Sequence, residues 1–491
     1  MISLIRNELT KIFHKKAIYI VILVTIGFIV TIGVLDKVFE NKEYDINYDE
    51  QIEFANEQLT ELKKQGIEDN EYVVSLKTQI RQAELAKKYD KNSWQRYVIE
   101  QKGNEIIQNM FTTNNLEEYD KFVEMLETDD WRGFVKQGLE ECDNSMKLLE
   151  GDKIPGFDFV QDERLRQLQN SIEMQNLKAE KQVLEWRLEK DIPYGVSNLN
   201  NMLEQWKNAK SQLMMLEQSA KVEPLTYSQK CEKQQWEEML NLSEYAIKNN
   251  MKNMQLNGFS GRFNLATEAD SNFLEVFSQY GEFIIIAIVI IAGVIVSEEF
   301  NKGTIKLLLV RPYKRIKILL AKFIACLIIL GIVYVVVGLA QFIITGIIQG
   351  FNNYTKDITI YNFNKGALEN IGTFKYFWII GLAILPKYLL LMTLAFSLST
   401  IFVNSPIAIA FPLLGMMGAE IINEIAYHFE KAKFLRFFVT PNWDLSIFLF
   451  GKLPEFEPIS FWFSISICLI YFAIMMFMSI IVFNKREIKN I

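Results

Sequence analysis

The chain has 491 residues and a formal net charge of −7, and half of its residues are hydrophobic, with 36 phenylalanines among them. This composition predicts a membrane protein and leaves room for several spans and a separate soluble domain. Residues 36–272 contain 30 basic and 45 acidic residues, whereas the remainder contains 22 and 14. The acidic part would repel a phosphate backbone, so nucleic acid is excluded as an expected partner.

Two features open the chain, a short amphipathic helix over residues 1–16 and an uncharged stretch over residues 17–35. The apolar face of the helix comprises Ile5, Leu9, Ile12 and Phe13, and the polar face comprises Arg6, Glu8, Lys11 and Lys15. This pattern predicts a helix lying in the membrane interface; a flexible start to the first span is the alternative. Asp36 and Lys37 stand where a signal peptide would need small residues, which favours a first span over a cleaved leader.

Residues 36–272 are predicted to form a mainly helical domain with a coiled-coil-like pattern. The recurring apolar residues are Ile52, Ala55, Leu59 and Leu62 in one segment and Val73, Leu76, Ile80 and Ala83 in the next. These spacings are typical of helices that pack side by side, and Gly66 between them is predicted to end the first helix. The domain also contains Trp94, Trp131, Trp186, Trp206 and Trp236. Core packing is the simplest role for these rings, and a ligand-stacking surface is the alternative.

Four cysteines divide between two environments. Cys326 and Cys468 lie inside apolar stretches and are expected to be small core residues. Cys142 and Cys231 lie in the 36–272 domain, where oxidation is open to them if that domain lies outside the cell. The sequence leaves open whether Cys142 and Cys231 form a disulfide.

Residues 297–322 join two long apolar stretches and carry the most informative motif of the chain. Its first half contains Glu298, Glu299, Gly303, Thr304 and an apolar ridge of Ile305, Leu307, Leu308 and Leu309. Its second half contains Arg311, Pro312, Lys314, Arg315 and Lys317. The pattern predicts a short amphipathic helix over residues 298–317 that cations hold at a membrane face and that docks on a partner protein.

Six membrane spans can be placed at about 20 residues each. They cover residues 17–35, 277–296, 318–348, 374–403, 405–427 and 459–483. Pro386 and Lys387 are expected to interrupt the fourth span. Cations cluster before the first span, in the 298–317 loop and after the sixth span, and the positive-inside rule places these three segments in the cytoplasm. The segments expected outside are 36–272, 350–372 and 428–458.

The predicted fold is therefore an all-α, six-span helical membrane protein with a large, mainly helical extracellular domain between spans one and two. Residues 1–35 form the interfacial helix and the first span, residues 36–272 the extracellular domain, and residues 273–491 the other five spans. Both termini are expected in the cytoplasm and the protein in the plasma membrane. Lysine-rich, acid-rich composition with few histidines suggests a Gram-positive bacterium.

Charged residues fall inside two of the predicted spans. Lys387 precedes the turn at Asn404 by 17 residues and Glu420 follows it by 16, with Glu424 one helical turn further. A lone charge at such depth is costly, so we expect Lys387 to face Glu420 or Glu424 in the bundle interior. Such a pair could fix packing or line a substrate path, and separate snorkelling to the outer interface is a third arrangement.

The usual catalytic constellations are missing from the sequence. His14 and His428 are the only histidines, and the topology places them on opposite membrane sides, so a histidine triad or zinc site is not expected. No phosphate-binding loop of the G-x-x-x-x-G-K-[ST] form occurs, and no calcium loop of EF-hand spacing is found. The chain is therefore not expected to be an enzyme or to bind a cofactor itself.

The 298–317 loop resembles the coupling helix of permeases of the type-2 ATP-binding-cassette exporter family. That family has a segment of the form E-x-x-x-G-T-hydrophobic-R-P-x-x-R between its second and third spans. Glu299, Gly303, Thr304, Arg311, Pro312 and Arg315 match that segment. The resemblance covers residues 1–35 and 275–491 and implies docking on two cytoplasmic ATPase subunits, which would bind Mg-ATP. It also implies pairing with a second permease copy or paralogue.

Two functions of different classes follow from these observations. The first is a permease subunit of an exporter, in which the ridge residues Ile305, Leu308 and Leu309 and the cations Arg311 and Arg315 contact the ATPase. The second is a non-transporting membrane receptor or assembly protein that presents the helical domain. The short amphipathic loop favours the permease. The sequence does not select among peptides, antibiotics, lipids and ions as the substrate.

Overall fold

The structure, a computed structural model, describes residues 1–40, 47–67, 70–113, 116–150, 163–259, 262–277, 280–305, 313–355, 357–428, 430–454 and 459–486. The chain divides into two compact units. We call them the bundle unit (Met1–Asn41, Leu225–Gln235 and Asn257–Ile491) and the helical unit (Lys42–Pro224 and Trp236–Leu256). Each unit is described by itself.

The bundle unit opens with helices α1 (Ile2–Phe13) and α2 (Lys16–Glu40). α1 buries one residue per turn, namely Leu4, Glu8 and Ile12. The sequence placed Glu8 on the polar face of α1, and this assignment is corrected by its burial. The buried face is shifted toward Leu4 and Glu8 because the Glu8 carboxylate finds cationic partners inside the unit.

The helical unit consists of a series of packed helices, as the apolar periodicity predicted. They are α3 (Tyr48–Lys64), α4 (Glu71–Ala86), α5 (Trp94–Gln101), α6 (Gly103–Thr112), α7 (Leu116–Glu127), α8 (Trp131–Glu150), α9 (Glu163–Lys190), α10 (Asn198–Val222) and α11 (Tyr227–Lys248), the last being shared with the bundle unit. Asn47 and Asn70 accept backbone hydrogen bonds at the starts of α3 and α4. Gly66 follows α3 with φ +77, the left-handed conformation that a helix-ending glycine supplies.

Aromatic side chains fill the core of the helical unit. Trp94 and Trp131 belong to one cluster with Phe122 and Phe134, and Trp186 meets Trp206 edge to face at 4.7 Å. These four tryptophans are buried, which favours the core-packing role over a ligand-stacking surface.

The sequence did not predict the small sheet of the chain. Strands β1 (Gln255–Phe259), β2 (Arg262–Ala266), β3 (Asp357–Asn362) and β4 (Ala367–Gly372) form one sheet in that order. β3 and β4 make an antiparallel hairpin, and β2 joins β3 antiparallel with Leu265 opposite Thr359. Each strand has only five or six residues and includes an asparagine, so the local signal for a strand is weak. β2 also finds its partner only after an intervening stretch of about 90 residues.

The bundle unit contains further α-helices, most of them long and apolar. They are α12 (Glu268–Leu274), α13 (Gly281–Val294), α14 (Ser297–Asn301), α15 (Arg315–Thr345), α16 (Thr373–Phe402), α17 (Ser405–His428) and α18 (Phe461–Lys485). Five helical stretches are long and apolar enough to cross a membrane: Gly281–Asn301, Arg315–Asn353, Thr373–Phe402, Ser405–Asn423 and Phe461–Lys485. They coincide with predicted spans two to six, whereas the predicted first span is the shorter apolar helix Tyr19–Leu35 within α2. The chain is thus a mainly helical membrane protein.

α16 runs through Pro386 without a break, so the predicted interruption of the fourth span is not observed. Ile384 and Tyr388 on either side of the proline are buried in the bundle core. α16 packs against α13, α17 and α18. This packing on several sides stabilises the helix where proline removes a backbone hydrogen bond.

Candidate functional site

Three elements of the bundle unit meet near the ends of α13 and α1. α1 packs along α15, and α14 follows α13 directly. The Ser297 backbone amide, at the beginning of α14, donates a hydrogen bond to Ser399 Oγ of α16 at 3.0 Å. The first residues of the predicted coupling loop are therefore anchored in the bundle.

Four charged side chains close a ring at this junction. Lys322 Nζ of α15 lies 2.7 Å from Glu8 Oε2 of α1 and 2.6 Å from Glu299 Oε2 of α14. Lys11 Nζ of α1 lies 2.9 Å from Glu8 Oε1 and 2.7 Å from Glu299 Oε1. Each carboxylate therefore gives one oxygen to each lysine. We call Glu8, Lys11, Glu299 and Lys322 the charge ring.

The charge ring is buried at one end and open at the other. The side chain of Lys322 has no exposed surface, those of Glu8 and Glu299 are 4% and 11% exposed, and that of Lys11 is 40% exposed. Two positive and two negative charges cancel, which is the condition under which buried ions are tolerated. Removing one partner of a buried pair typically costs about 3–5 kcal/mol because the other charge stays buried alone.

The charge ring shifts the pKa values of Glu8 and Lys11, its two members on α1. Burial by itself would raise the pKa of Glu8, but the charges of Lys322 and Lys11 outweigh it, and the pKa lies below its ordinary value of 4.5. For Lys11, burial would lower the pKa, but hydrogen bonds to Glu299 and Glu8 raise it above 10.5. Both groups are therefore charged at neutral pH.

A second, more exposed set of ion pairs lies beside the ring. Glu298 of α14 pairs with Lys15, which lies between α1 and α2, and with Lys302 at 2.5 Å. The side chain of Lys302 is 67% exposed, so this pair is screened by solvent and contributes little to stability.

Two arginines bind the ends of neighbouring helices. Arg315, at the start of α15, donates to Asn484 O at 3.0 Å and to Arg486 O at 2.9 Å, at the end of α18. Arg486 donates to Thr400 O and Ile401 O at 2.9 and 2.8 Å, in the last turn of α16. Its guanidinium also lies 5.4 Å from the centre of the Phe300 ring of α14. Helix ends have carbonyls without intrahelical partners, and these guanidinium groups satisfy them.

The predicted coupling residues divide between the interior and the surface. Glu299 belongs to the ring, and Ile305 is buried at 2% exposure in the bundle core, so its contacts are within the chain. Gly303, with φ +68, and Thr304 are exposed. Arg315 is half-buried on the α18 carbonyls. Leu308, Leu309, Arg311 and Pro312 lie outside the described residues.

The predicted intramembrane pair stays a prediction. Lys387 is half-buried, and its ammonium lies 5.9 Å from the centre of the Trp443 ring. Glu420 and Glu424 lie on α17, but their side chains are outside what the structure describes. The Trp443 contact supplies a partner for Lys387 that the sequence did not suggest.

No disulfide joins Cys142 and Cys231, and both thiols are buried. Cys142 belongs to the aromatic core of the helical unit. Cys231 lies in the bundle unit, with its Sγ 3.5 Å from Pro454 O. Cys326 and Cys468 are buried in the bundle core as expected.

Glu8, Lys11 and Lys322 are the site residues that the sequence analysis missed. Lys322 stands seven residues after Arg315, where α15 has become apolar, and Glu8 is the only acid in the basic first 16 residues. A lone charge in an apolar stretch indicates a buried partner, which is the signal that could have drawn attention to Lys322. The lysines already occupy both carboxylates, and among the described residues no group of His, Cys, Asp or Glu is suited to holding a metal ion.

Comparison with known proteins identifies the family. The model of the DUF2705 family, described as proteins of unknown function, matches residues 240–489, and the chain belongs to this family. Two relatives come from Bacillus subtilis (strain 168). The uncharacterized protein YhcI is 30% identical over 203 residues, and the uncharacterized membrane protein YdbK is 26% identical over 202 residues.

Each of these two alignments covers 41% of this chain; they cover 64% of YhcI and 76% of YdbK. The matched family region, residues 240–489, includes Glu299 and Lys322 of the charge ring but not α1. No solved structure matches the chain.

Proposed function

We propose that this chain is the membrane permease subunit of an ATP-binding-cassette exporter. The observation that carries the proposal is the charge ring, which joins α14, at the start of the predicted coupling loop, to both α1 and α15. A loop that receives force from an ATPase must be held firmly to the helices that it moves. The ring and the Ser297–Ser399 hydrogen bond provide such attachment.

The proposed topology has six spans, with α2 contributing the first. Both termini and the 298–317 loop lie in the cytoplasm, because the cations of these three segments then obey the positive-inside rule. The helical unit lies outside the cell, and the protein is in the plasma membrane of a Gram-positive bacterium. The Bacillus relatives and the membrane description of YdbK support this location.

Two such chains, or this chain and a paralogue, would form the transport path with two ATPase subunits. Leu308, Leu309 and Arg311 would contact the ATPase, since Ile305 and Glu299 are engaged within the chain. Closure of the ATPases on Mg-ATP would push the loop, and the ring would pass this movement to α1 and α15. Arg315 would also pass the movement to the end of α18, because it donates hydrogen bonds to carbonyls there.

Co-purification tests the proposal. The full chain is isolated from the membranes of its native host through an affinity tag, and any cassette ATPase that co-purifies with it is identified by mass spectrometry. Leu308→Asp should abolish recovery of the ATPase, because a carboxylate cannot enter an apolar contact without a partner. Leu116→Asp is the matched control, since Leu116 is 50% exposed on α7 of the helical unit, and it should retain the ATPase.

Equal recovery of the ATPase with both variants would contradict the proposed contact. If the wild-type chain retains no cassette ATPase and adds nothing to its ATP turnover in membranes, the alternative gains support. The chain would then be a receptor or assembly protein that presents the helical unit.

A further inference from the structure

We infer that the charge ring holds α1, α14 and the beginning of α15 together as one rigid body, with Lys322 as the positioning residue. The rigid body is a property of the chain by itself. Its meaning for transport rests on the proposed function, because a rigid body here would carry a push on the 298–317 loop to α1 and α15 at once.

The charge ring is closed, so its members hold one another from two sides. Glu8 and Glu299 each contact both lysines, so α1 cannot separate from α14 without breaking at least two ion contacts. Lys322 has no exposed surface. Water therefore cannot replace a lost carboxylate at its ammonium, and any opened state leaves charge buried without a partner.

The apolar contacts of α1 would not fix its position by themselves. Apart from Glu8, its buried residues are Leu4 and Ile12, one turn to either side. Apolar side chains of similar shape accept many relative positions, whereas a slide of α1 by one turn, about 5.4 Å, would carry Glu8 away from Lys322. Buried ion pairs add little stability over apolar side chains of equal volume, so the best account of this ring is that it selects one arrangement.

Spin labels can measure this rigidity directly. Cysteines introduced at Ile2 of α1 and Asn301 of α14, both exposed, carry the labels, and the full chain is placed in lipid nanodiscs without any ATPase. The four native cysteines are buried, so labelling is confined to the introduced ones. Pulsed electron resonance then gives the distribution of distances between the two labels.

Three variants separate charge from packing. Lys322→Met leaves two carboxylates with Lys11 alone. The triple variant Glu8→Gln, Glu299→Gln, Lys322→Met keeps side-chain volume but leaves no buried charge. Lys302→Met is the matched control, since it removes a lysine from the exposed Glu298 pair.

The wild-type chain and Lys302→Met should give one narrow distance distribution. The triple variant should melt within a few degrees of wild type and yet at least double the width of the distribution. Lys322→Met should broaden it further or fail to fold. A folded triple variant with a distribution as narrow as wild type would overturn the inference, because packing alone would then hold the elements together. Equal broadening by Lys302→Met would overturn it as well.

These outcomes are independent of the proposed function. A chain that retains no cassette ATPase but shows the expected distance distributions would contradict the permease proposal and leave the rigid body intact. A chain that retains the ATPase but keeps a narrow distance distribution in the triple variant would support the permease proposal and overturn the rigid body.

Discussion

Lys322 shows at the residue scale how a membrane protein holds a charge without water. Its ammonium is neutralised by two carboxylates, one from α1, 314 positions away, and one from α14, the preceding helix, and the fourth member, Lys11, extends the set toward solvent. The exposure of Lys11 matters because it leaves one side of the ring within reach of water. Loss of Lys322 would leave Glu8 and Glu299 with Lys11 alone and would vacate a place that water does not reach, whereas loss of Lys11 would vacate a place that is open to water.

The lowered pKa of Glu8 predicts how the stability of the bundle unit depends on pH. A carboxylate whose pKa is depressed in the folded state stabilises that state above its unfolded value, here near 4.5, and the contribution is lost as the pH falls through the folded value. The melting temperature of the full chain in detergent should therefore fall as the pH is lowered below about 4.5. In Glu8→Gln this fall should be smaller, since that variant has no ring carboxylate to protonate on α1.

Glu53→Gln serves as the control for the pH experiment, because Glu53 is exposed on α3 of the helical unit. Its melting curve should follow wild type at each pH. If Glu8→Gln shows the same loss of melting temperature as wild type and Glu53→Gln, the charge of Glu8 does not stabilise the folded state.

At the scale of the elements, arginine side chains bind the ends of the helices at this junction. α16 ends at Phe402, and Val403 follows it with φ +55. The last carbonyls of α16 would otherwise need water, but Arg486 reaches two of them from the end of α18. The end of α18 is in turn bound by Arg315 at the start of α15. Two guanidinium groups thus connect three helix ends. Each can bind two carbonyl oxygens at once because its N–H donors form a planar fork.

We expect Arg486→Ala to loosen the last turn of α16. A hydrogen bond to a charged group contributes about 1.5–3 kcal/mol, so amide hydrogen exchange in residues 399–403 should accelerate by at least about tenfold. Lys485→Ala, which removes a neighbouring exposed lysine, should leave the exchange unchanged. Similar rates in Arg486→Ala and wild type would show that the carbonyls do not depend on this arginine.

At the scale of the whole molecule, the chain combines two units with different sources of stability. The helical unit has its own core, in which Val98, Ile99, Ile107 and Val135 have no exposed surface. The bundle unit is built on long apolar helices joined by buried polar contacts such as the ring. Because its core is self-contained, the helical unit does not need the bundle for its secondary structure.

Residues 42–256, produced alone with the two ends tied together, should therefore fold into a mainly helical unit. The expected circular dichroism spectrum has the double minimum of α-helix, with a cooperative thermal transition. A spectrum dominated by strand signal, or a featureless melting curve, would contradict the self-contained core.

The positions of the apolar helices were predictable from the sequence. Residues 405–427 and 459–483 were predicted as spans, and the structure has helices Ser405–His428 and Phe461–Lys485. The helical periodicity of residues 52–83 and the glycine that ends α3 were also readable. These features depend on neighbours within one or two helical turns, so local composition specifies them.

The charge ring and the sheet were decided by the tertiary structure. Glu8 and Lys322 are separated by 314 positions, and no local sequence pattern predicts that their side chains form an ion pair. β2 and β3 likewise lack a pairing signal, because a short polar strand is specified by its partner rather than by its own residues. The sequence by itself determined a helical membrane protein with a large acidic insertion. Only the packing of distant helices decides which charged side chains are buried and which are free for a partner. Burial and pairing are properties of the assembled fold.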